Sequence, residues 1–192
     1  MSKSGQTNAA TSNDDLTGSN RIHGVLMEMH GFGVLILGES GIGKSECALD
    51  LITKGHRLVA DDVVNLELDT GRLFGTAPNL ISGLLEIRGL GIVSVRELFG
   101  VSAVCDRLNL DLCIDLVKWA KVEDISRIGL EMQTKTILGI DLPKFVLPVS
   151  SGRNLSTLVE TAVRIFMLRG TGTNAAKDLV ERHEKMLRKT GN

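Results

Sequence analysis

Eight consecutive residues, 38–45, have the types and spacing of a phosphate-binding loop. They match G-x-x-x-x-G-K-S in full, after an apolar run and before a segment with helical spacing. Glycines allow backbone N–H groups to point inward at an anion, and the positive end of the following helix adds to the attraction. In this pattern Lys44 reaches the β- and γ-phosphates of a nucleotide, and the Ser45 hydroxyl binds Mg²⁺. We therefore predict a nucleotide site formed by Gly38, Glu39, Ser40, Gly41, Ile42, Gly43, Lys44 and Ser45.

Two adjacent carboxylates, Asp61 and Asp62, follow a short apolar run one helix beyond this loop. A carboxylate beside bound phosphates can hold Mg²⁺, or it can accept a proton from an attacking hydroxyl. Neighbouring side chains on extended backbone point in opposite directions, so the two carboxylates can divide these roles. Aspartate also favours strand ends for local reasons, which makes a solvated turn the alternative. The nearby phosphate loop favours a functional pair.

Other candidates carry weaker signals. Glu86 and Arg88 lie two residues apart in an apolar run flanked by glycines, so on a strand their side chains share a face. An edge strand with a local ion pair would explain this pattern equally well. His23, Arg127 and Arg153 are isolated residues, and single polar side chains of these types are more often surface groups than catalysts.

The elements that position these residues are predicted from apolar periodicity. Alternating or continuous apolar runs that predict strands lie at 25–29, 33–37, 56–60, 63–68 and 144–149. His30-Gly31 separates the first two runs as a hairpin turn would. Residues 45–54 have helical spacing, and two further helices are predicted from about residue 155, with a break at 170–173. Many short strands with few helices predict a mixed-sheet α/β or α+β domain.

Composition excludes several classes of protein. Among 192 residues, 22 Lys and Arg nearly balance 23 Asp and Glu, so no overall charge favours nucleic acid or an anionic membrane. No stretch approaches the roughly 20 apolar residues needed to span a bilayer. The three cysteines form no CxxC pair, which predicts free thiols in a cytoplasmic protein. Residues 1–20 are mostly polar, so we predict a disordered polar leader followed by one domain at 21–192.

Several segments together resemble the catalytic domain of HPr kinase/phosphorylase, in order from about residue 21 to 170. The matching segments are 23–25, the phosphate loop with Glu46, 55–62, 85–92, 127–130, 148–149 and 152–155. Within them, Leu-Glu-Ile-Arg-Gly-Leu-Gly at 85–91 is far more specific than the phosphate loop. The resemblance covers the catalytic domain alone. We expect the polar leader where the family usually has an amino-terminal domain.

The resemblance implies a bacterial enzyme that phosphorylates a serine of the phosphocarrier protein HPr with ATP and Mg²⁺. It also implies removal of that phosphate by phosphorolysis, in which inorganic phosphate attacks and pyrophosphate forms. Family members are hexamers, and their α/β P-loop domain resembles phosphoenolpyruvate carboxykinase. We therefore expect a mixed-sheet domain of that kind with carboxy-terminal helices, a homo-oligomer, and no nucleic-acid or membrane partner.

The resemblance also implies roles for individual residues. Ser45 and Glu86 hold Mg²⁺, and one of Asp61 and Asp62, with Asp62 preferred, takes the serine proton. Lys44, His23 and Arg127 complete the catalytic set. The segment tied to the reverse reaction matches Pro148, Val149, Ser150, Ser151, Gly152 and Arg153. Ser150-Ser151 departs from the Arg-Pro more typical of relatives, so the sequence supports the kinase more strongly than the phosphorylase.

Two other classes of protein also carry a phosphate loop of this kind. A small-molecule P-loop kinase should carry a lid of several arginines, whereas the arginines here are scattered. A regulatory nucleotide-binding module without turnover needs no base, whereas this chain carries the Asp61-Asp62 pair. Transfer of labelled phosphate from ATP to HPr would separate the three.

Overall fold

The computed structural model describes residues 20–119, 132–150 and 152–190. The strands are β1 (Arg21–His23), β2 (Val25–Met29), β3 (Phe32–Gly38), β4 (Arg57–Ala60), β5 (Val63–Asp69), β6 (Arg72–Thr76), β7 (Leu84–Ile87), β8 (Gly91–Ser94), β9 (Arg107–Asn109), β10 (Leu112–Lys118), β11 (Gln133–Ile137) and β12 (Ile140–Val149). The helices are α1 (Lys44–Thr53), α2 (Val95–Phe99), α3 (Leu155–Gly170) and α4 (Ala175–Thr190). Apart from Asn20, the predicted leader lies outside the described residues.

A six-stranded mixed sheet in the order β11-β12-β10-β3-β2-β4 forms the centre of the domain. Strand β10 is parallel to both β3 and β12, while β2 is antiparallel to β3 and to β4. Strand β4 therefore runs in the same direction as β3. As a result, the carboxyl ends of β3, β4, β10 and β12 all lie at one edge of the sheet.

Both faces of this sheet are buried, which explains the continuous apolar runs in the sequence. On one face, Met27 and Ile36 pack with the apolar residues of α1 and α3. On the other, Leu26 and Leu35 pack against β5 and β6 of a second, antiparallel sheet in the order β1-β5-β6-β9. Alternate residues of each central strand thus enter different cores. The domain has three layers: helices, the mixed sheet and the antiparallel sheet.

The predicted mixed-sheet α/β domain with carboxy-terminal helices is confirmed. Strands β2 and β3 form the expected hairpin, with positive φ at His30 and Gly31, and β5 and β6 form another hairpin. All three cysteines are free thiols, and burial raises the pKa of Cys47 and of Cys113 to about 12. Within the described ranges, no helix combines the length and apolar content needed to cross a bilayer.

Helix α4 forms where the second of the two carboxy-terminal helices was predicted, but several of its apolar residues are exposed. Leu179, Met186 and Leu187 are between 58% and 68% exposed. Single exposed apolar residues are common on protein surfaces, but three of them lie on this one helix.

A buried serine joins α3 to α1. Ser156 is 2% exposed; its hydroxyl donates to Asp50 and accepts from Lys54 Nζ at 2.6 Å. The bond from Ser156 is the main reason that the pKa of Asp50 lies below its usual 3.8. The bonded, ionised form of Asp50 therefore stabilises the packing of the two helices.

We expect Ser156→Ala to lower the free energy of unfolding by about 1–2 kcal/mol at neutral pH, because two polar partners lose a buried hydrogen bond. A carboxyl with a depressed folded-state pKa stabilises the fold above its unfolded pKa and loses that effect as pH falls. The difference between wild type and variant should therefore shrink below pH 3.8. Urea unfolding at neutral and acidic pH measures it, with the exposed Ser102→Ala as the matched control. A difference that stays constant with pH would contradict this account of Asp50.

Candidate active site

A cavity of about 550 Å³ opens at the sheet edge where the parallel strands end. Ligands of open α/β sheets bind at this edge, and the volume suits a nucleotide-sized ligand. Its walls come from His23, Gly38, Glu39, Ser40, Gly41, Gly43, Lys44, Ser45, Glu46, Asp61, Asp62, Glu86 and Arg88. Most of the residues predicted for the site thus meet in one place.

The phosphate loop requires glycine at its two ends. Gly38 has φ of 148°, and a Cβ there would lie 2.8 Å from the Leu116 carbonyl oxygen on β10. Gly43 has φ of 100° and is the residue that begins α1. Ile42, predicted within the nucleotide site, instead places its side chain in the core at 8% exposure. Its side chain therefore anchors the loop.

Lys44 extends over the loop that it follows. Its Nζ donates to the carbonyl oxygens of Gly38 at 2.8 Å and Glu39 at 3.1 Å. The ammonium group is therefore already held at the mouth of the loop, where phosphate oxygens can take the place of these carbonyls. Lysine is a common phosphate-binding residue for this reason, since it has three rotatable donors and one concentrated charge.

Ser45 and the buried Asp61 form a part-buried pair of oxygen ligands. The Ser45 hydroxyl donates to the two Asp61 carboxylate oxygens at 3.0 and 3.2 Å, and the Glu86 backbone N–H donates to one of them at 3.3 Å. Asp61 is 6% exposed, and this burial raises its pKa, although the hydrogen bonds oppose the rise. A nearby cation would offset the cost of that buried charge.

These donors suit Mg²⁺, which prefers carboxylate, hydroxyl and water oxygens. The residues predicted to hold the metal were Ser45 and Glu86. The Glu86 side chain is exposed at the cavity wall, whereas Asp61 directly contacts Ser45. The geometry therefore adds Asp61 to the candidate metal ligands.

A tight backbone turn at Asp62 sets the direction of its side chain. Its φ is 65°, and the Val63 N–H donates to the Asp61 carbonyl at 2.8 Å, closing a three-residue turn. The Gly24 N–H holds the Asp62 carbonyl at 3.0 Å. Such a conformation is sparsely populated for non-glycine residues and is often retained at functional sites. The Asp62 side chain is 78% exposed and thus accessible to an incoming substrate.

Pairing of β1 with β5 places His23 beside Asp62. His23 pairs with Val63 in the antiparallel register, and His23 Nδ1 lies 3.7 Å from Asp62 Oδ1. Asp61 and Asp62 therefore lie in different environments, although they are adjacent in sequence. Asp61 is buried against Ser45, and Asp62 is exposed beside a histidine.

Arg88 and Glu46 line the cavity but were not among the predicted site residues. Arg88 follows β7, and a Cβ at Gly41 would lie 3.9 Å from its guanidinium, so Arg88 faces the phosphate loop. The signal was present in the spacing of Glu86 and Arg88, which predicted a shared face. A cation at this place can bind phosphate oxygens.

The remaining predicted residues are Arg127 and the reverse-reaction segment. Arg127 lies in 120–131 and Ser151 at 151, both outside the described residues. Pro148 and Val149 end β12 at the same sheet edge, and Arg153 donates to the Pro148 carbonyl at 3.0 Å. The described residues of the reverse-reaction segment therefore lie at the same sheet edge as the cavity, but they are not part of the cavity wall.

Comparison with known proteins shows the family. The family model described as the HPr serine kinase C-terminal domain matches residues 14–183, a span that begins inside the predicted leader. The chain belongs to this family. The predicted resemblance to HPr kinase/phosphorylase is thereby confirmed.

Relatives agree with this assignment. HPr kinase/phosphorylase of Geobacter sulfurreducens is 47% identical over 167 residues, which are 86% of this chain and 51% of that protein. The Geobacillus thermodenitrificans protein of that name is 49% identical over 162 residues, 84% of this chain and 52% of its own. The chain thus spans about half the length of the curated relatives it matches. The solved Hpr(Ser) kinase/phosphatase from Coxiella burnetii has a TM-score of 0.76 and 39% identity, covering 83% of this chain and 97% of that one.

Proposed function

We propose that this domain is an ATP-dependent protein kinase that phosphorylates a serine of HPr and also removes that phosphate by phosphorolysis. One observation carries the proposal: a single cavity is lined by the phosphate loop, by the Ser45–Asp61 pair and by the exposed Asp62 beside His23. The loop and the Ser45–Asp61 pair suit a nucleotide, and Asp62 suits a hydroxyl that must lose a proton. The names of the relatives supply the identity of the substrate.

In the forward direction, the loop N–H groups and Lys44 hold the β- and γ-phosphates of ATP, and Arg88 adds positive charge at the cavity wall. Ser45 and Asp61, with Glu86 nearby, would hold Mg²⁺, which would supply charge that neutralises the phosphate oxygens. The rest of the catalysis is positioning, because phosphoryl transfer has a loose transition state and needs its two oxygens in line.

Asp62 accepts the proton of the serine hydroxyl as the serine oxygen bonds to the γ-phosphorus. The bond from that phosphorus to the β-phosphate oxygen breaks, and its electron pair leaves with ADP. The exposure of Asp62 allows a protein-borne serine to approach, whereas the carboxylate of Asp61 is buried and bonded to Ser45. His23, 3.7 Å away, orients the Asp62 carboxylate.

In the reverse direction, inorganic phosphate occupies the place of the nucleotide phosphates and attacks the phosphorus of phosphoserine. Pyrophosphate forms, and protonated Asp62 returns its proton to the departing serine oxygen. One base thus serves both directions. The departure at Ser150-Ser151 from the family pattern makes the kinase the better-supported half of the proposal.

We test the function by incubating the protein with γ-labelled ATP and Mg²⁺, with and without HPr. The proposal expects label on HPr and none on HPr whose target serine is replaced by alanine. Label transferred to a small molecule in the absence of HPr would support the small-molecule kinase. Nucleotide binding with no transfer to either would support the regulatory module. Addition of phosphate to labelled HPr should then release labelled pyrophosphate.

We also propose a homo-oligomer in the cytoplasm, with a hexamer expected from the resemblance. The exposed apolar residues of α4 and the free thiols support this proposal. Light scattering at micromolar concentration should give a mass several times that of the 20.7 kDa chain. A monomer at that concentration would contradict assembly through this domain.

A further inference from the structure

Three side chains with metal-binding atoms meet at the sheet edge opposite the cavity. His30 lies in the β2–β3 turn, His56 directly precedes β4, and Glu160 lies on α3. One ligand atom from each lies within 4.8 Å of the other two. Since β4 carries Asp61 at its other end, this cluster is a full strand length away from the candidate active site.

The two histidines direct the same kind of atom at one carboxylate oxygen. His30 Nε2 lies 3.9 Å and His56 Nε2 lies 4.0 Å from Glu160 Oε1. The imidazole rings are perpendicular, with centroids 4.9 Å apart. These separations are too long for hydrogen bonds, so the three groups are adjacent without satisfying one another.

His56 is the group that needs a partner most. It is 7% exposed, and its Nε2 is buried without a hydrogen-bond partner among the described residues. A buried polar atom without a partner is costly, and native structures retain few of them.

We propose that His30, His56 and Glu160 form a binding site for a borderline divalent transition metal, with Zn²⁺ as the expected ion. Two imidazole nitrogens and one carboxylate oxygen suit Zn²⁺, whereas Mg²⁺ prefers oxygen ligands alone. The ligand atoms of a tetrahedral zinc site are roughly 3.3 Å apart, given bonds of about 2.0–2.1 Å. Separations of up to 4.8 Å must therefore close by as much as about 1.5 Å, which movement of the exposed turn at His30 can supply.

The site would join three elements that are distant in sequence. It would tie the β2–β3 turn and the start of β4 to α3, the helix that packs over α1. Metal bound to a folded arrangement but absent from the unfolded chain stabilises the fold. The expected role is thus a structural one, and it requires no activity of the kinase site.

Two cations compete with a metal for the carboxylate. Arg164 donates to Glu160 Oε1 at 2.8 Å, and Lys54 Nζ lies 3.9 Å from Glu160 Oε2. The Arg164 side chain is 61% exposed, so it can move into solvent when a metal binds. Removing the Arg164 side chain should therefore strengthen metal binding. If the contact between Arg164 and Glu160 were only a structural ion pair, its removal would only lower the stability of the fold.

The test is titration of the purified protein with Zn²⁺ in millimolar Mg²⁺, which occupies the oxygen-ligand site. We expect one Zn²⁺ per chain and, with Co²⁺, the visible absorption of a four-coordinate nitrogen-and-oxygen site. His30→Asn keeps the turn, because asparagine tolerates positive φ, but it removes a ligand. It should weaken Zn²⁺ affinity by more than about 100-fold, since even outer partners of metal ligands contribute 10- to 100-fold. Glu160→Gln should act in the same direction.

Two further variants complete the design. Arg164→Gln should bind Zn²⁺ more tightly than wild type, and His183→Ala, which removes an exposed histidine on α4, should bind it equally. Zn²⁺ should raise the Tm of wild type and of His183→Ala but not that of His30→Asn. Equal Zn²⁺ affinity in wild type, His30→Asn and Glu160→Gln would overturn the proposal. Phosphate transfer is not a readout, so this result is independent of the proposed function.

Discussion

Asp62→Asn should lower the rate of phosphate transfer to HPr by about 10²- to 10⁴-fold, the usual contribution of general acid–base catalysis. The amide keeps the shape of the carboxylate and tolerates the φ of 65° at this position, but it cannot take the serine proton. Because one group serves both directions, phosphorolysis should fall together with the kinase reaction. ATP affinity should change far less than the rate, since the proposed phosphate contacts come from the loop and Lys44 and not from Asp62.

Asp61→Asn is the matched comparison. Its carboxylate is buried against Ser45, so its loss should raise the Mg²⁺ concentration required for activity. Steady-state rates measured across a range of Mg²⁺ concentrations distinguish the two variants. Excess Mg²⁺ should restore much of the activity that Asp61→Asn loses. It should restore none of the activity that Asp62→Asn loses. Near-normal turnover in both variants would mean that the base lies elsewhere.

The second large effect is expected at Lys44. Lys44→Ala should weaken ATP binding by about 10- to 100-fold, which corresponds to the loss of charge-assisted hydrogen bonds to phosphate. Activity should fall further, because the same ammonium group stabilises charge during transfer. The fold should remain intact, since Nζ contacts only the carbonyls of Gly38 and Glu39 in the described chain.

Calorimetric titration with ATP measures the affinity, and circular dichroism with thermal unfolding checks the fold. Lys177→Ala on α4 removes an exposed lysine away from the cavity and serves as the control. It should bind ATP as the wild type does. Unchanged affinity in a folded Lys44→Ala protein would contradict the assignment of 38–45 as the phosphate loop.

Much of the fold follows from local patterns in the sequence. The apolar run at 33–37, the glycines of the loop and the helical spacing after Lys44 together predict β3, the phosphate loop and α1. These features are readable because each depends on residues adjacent along the chain. The same holds for the β2–β3 hairpin, where a two-residue turn separates two apolar runs.

The different surroundings of the two aspartates are set by tertiary structure. Alternation along a strand predicted only that Asp61 and Asp62 point in different directions. Which of them is buried depends on the turn held by Gly24 and on the pairing of β1 with β5, which brings His23 alongside. Those contacts span about 40 residues and arise from sheet packing, for which the local sequence contains no signal.

By itself, then, the sequence determined the phosphate loop, the carboxylate pair, the family and most secondary structure, because all of these are carried by short contiguous segments. Only the tertiary structure decided which side chains share a site. The order of the strands places Arg88 in the same cavity as the phosphate loop, and it places Asp61 within hydrogen-bonding distance of Ser45. It also gathered His30, His56 and Glu160, which are up to 130 positions apart, at the opposite edge. The physical reason is that strand direction and burial of both sheet faces are properties of the whole packed domain.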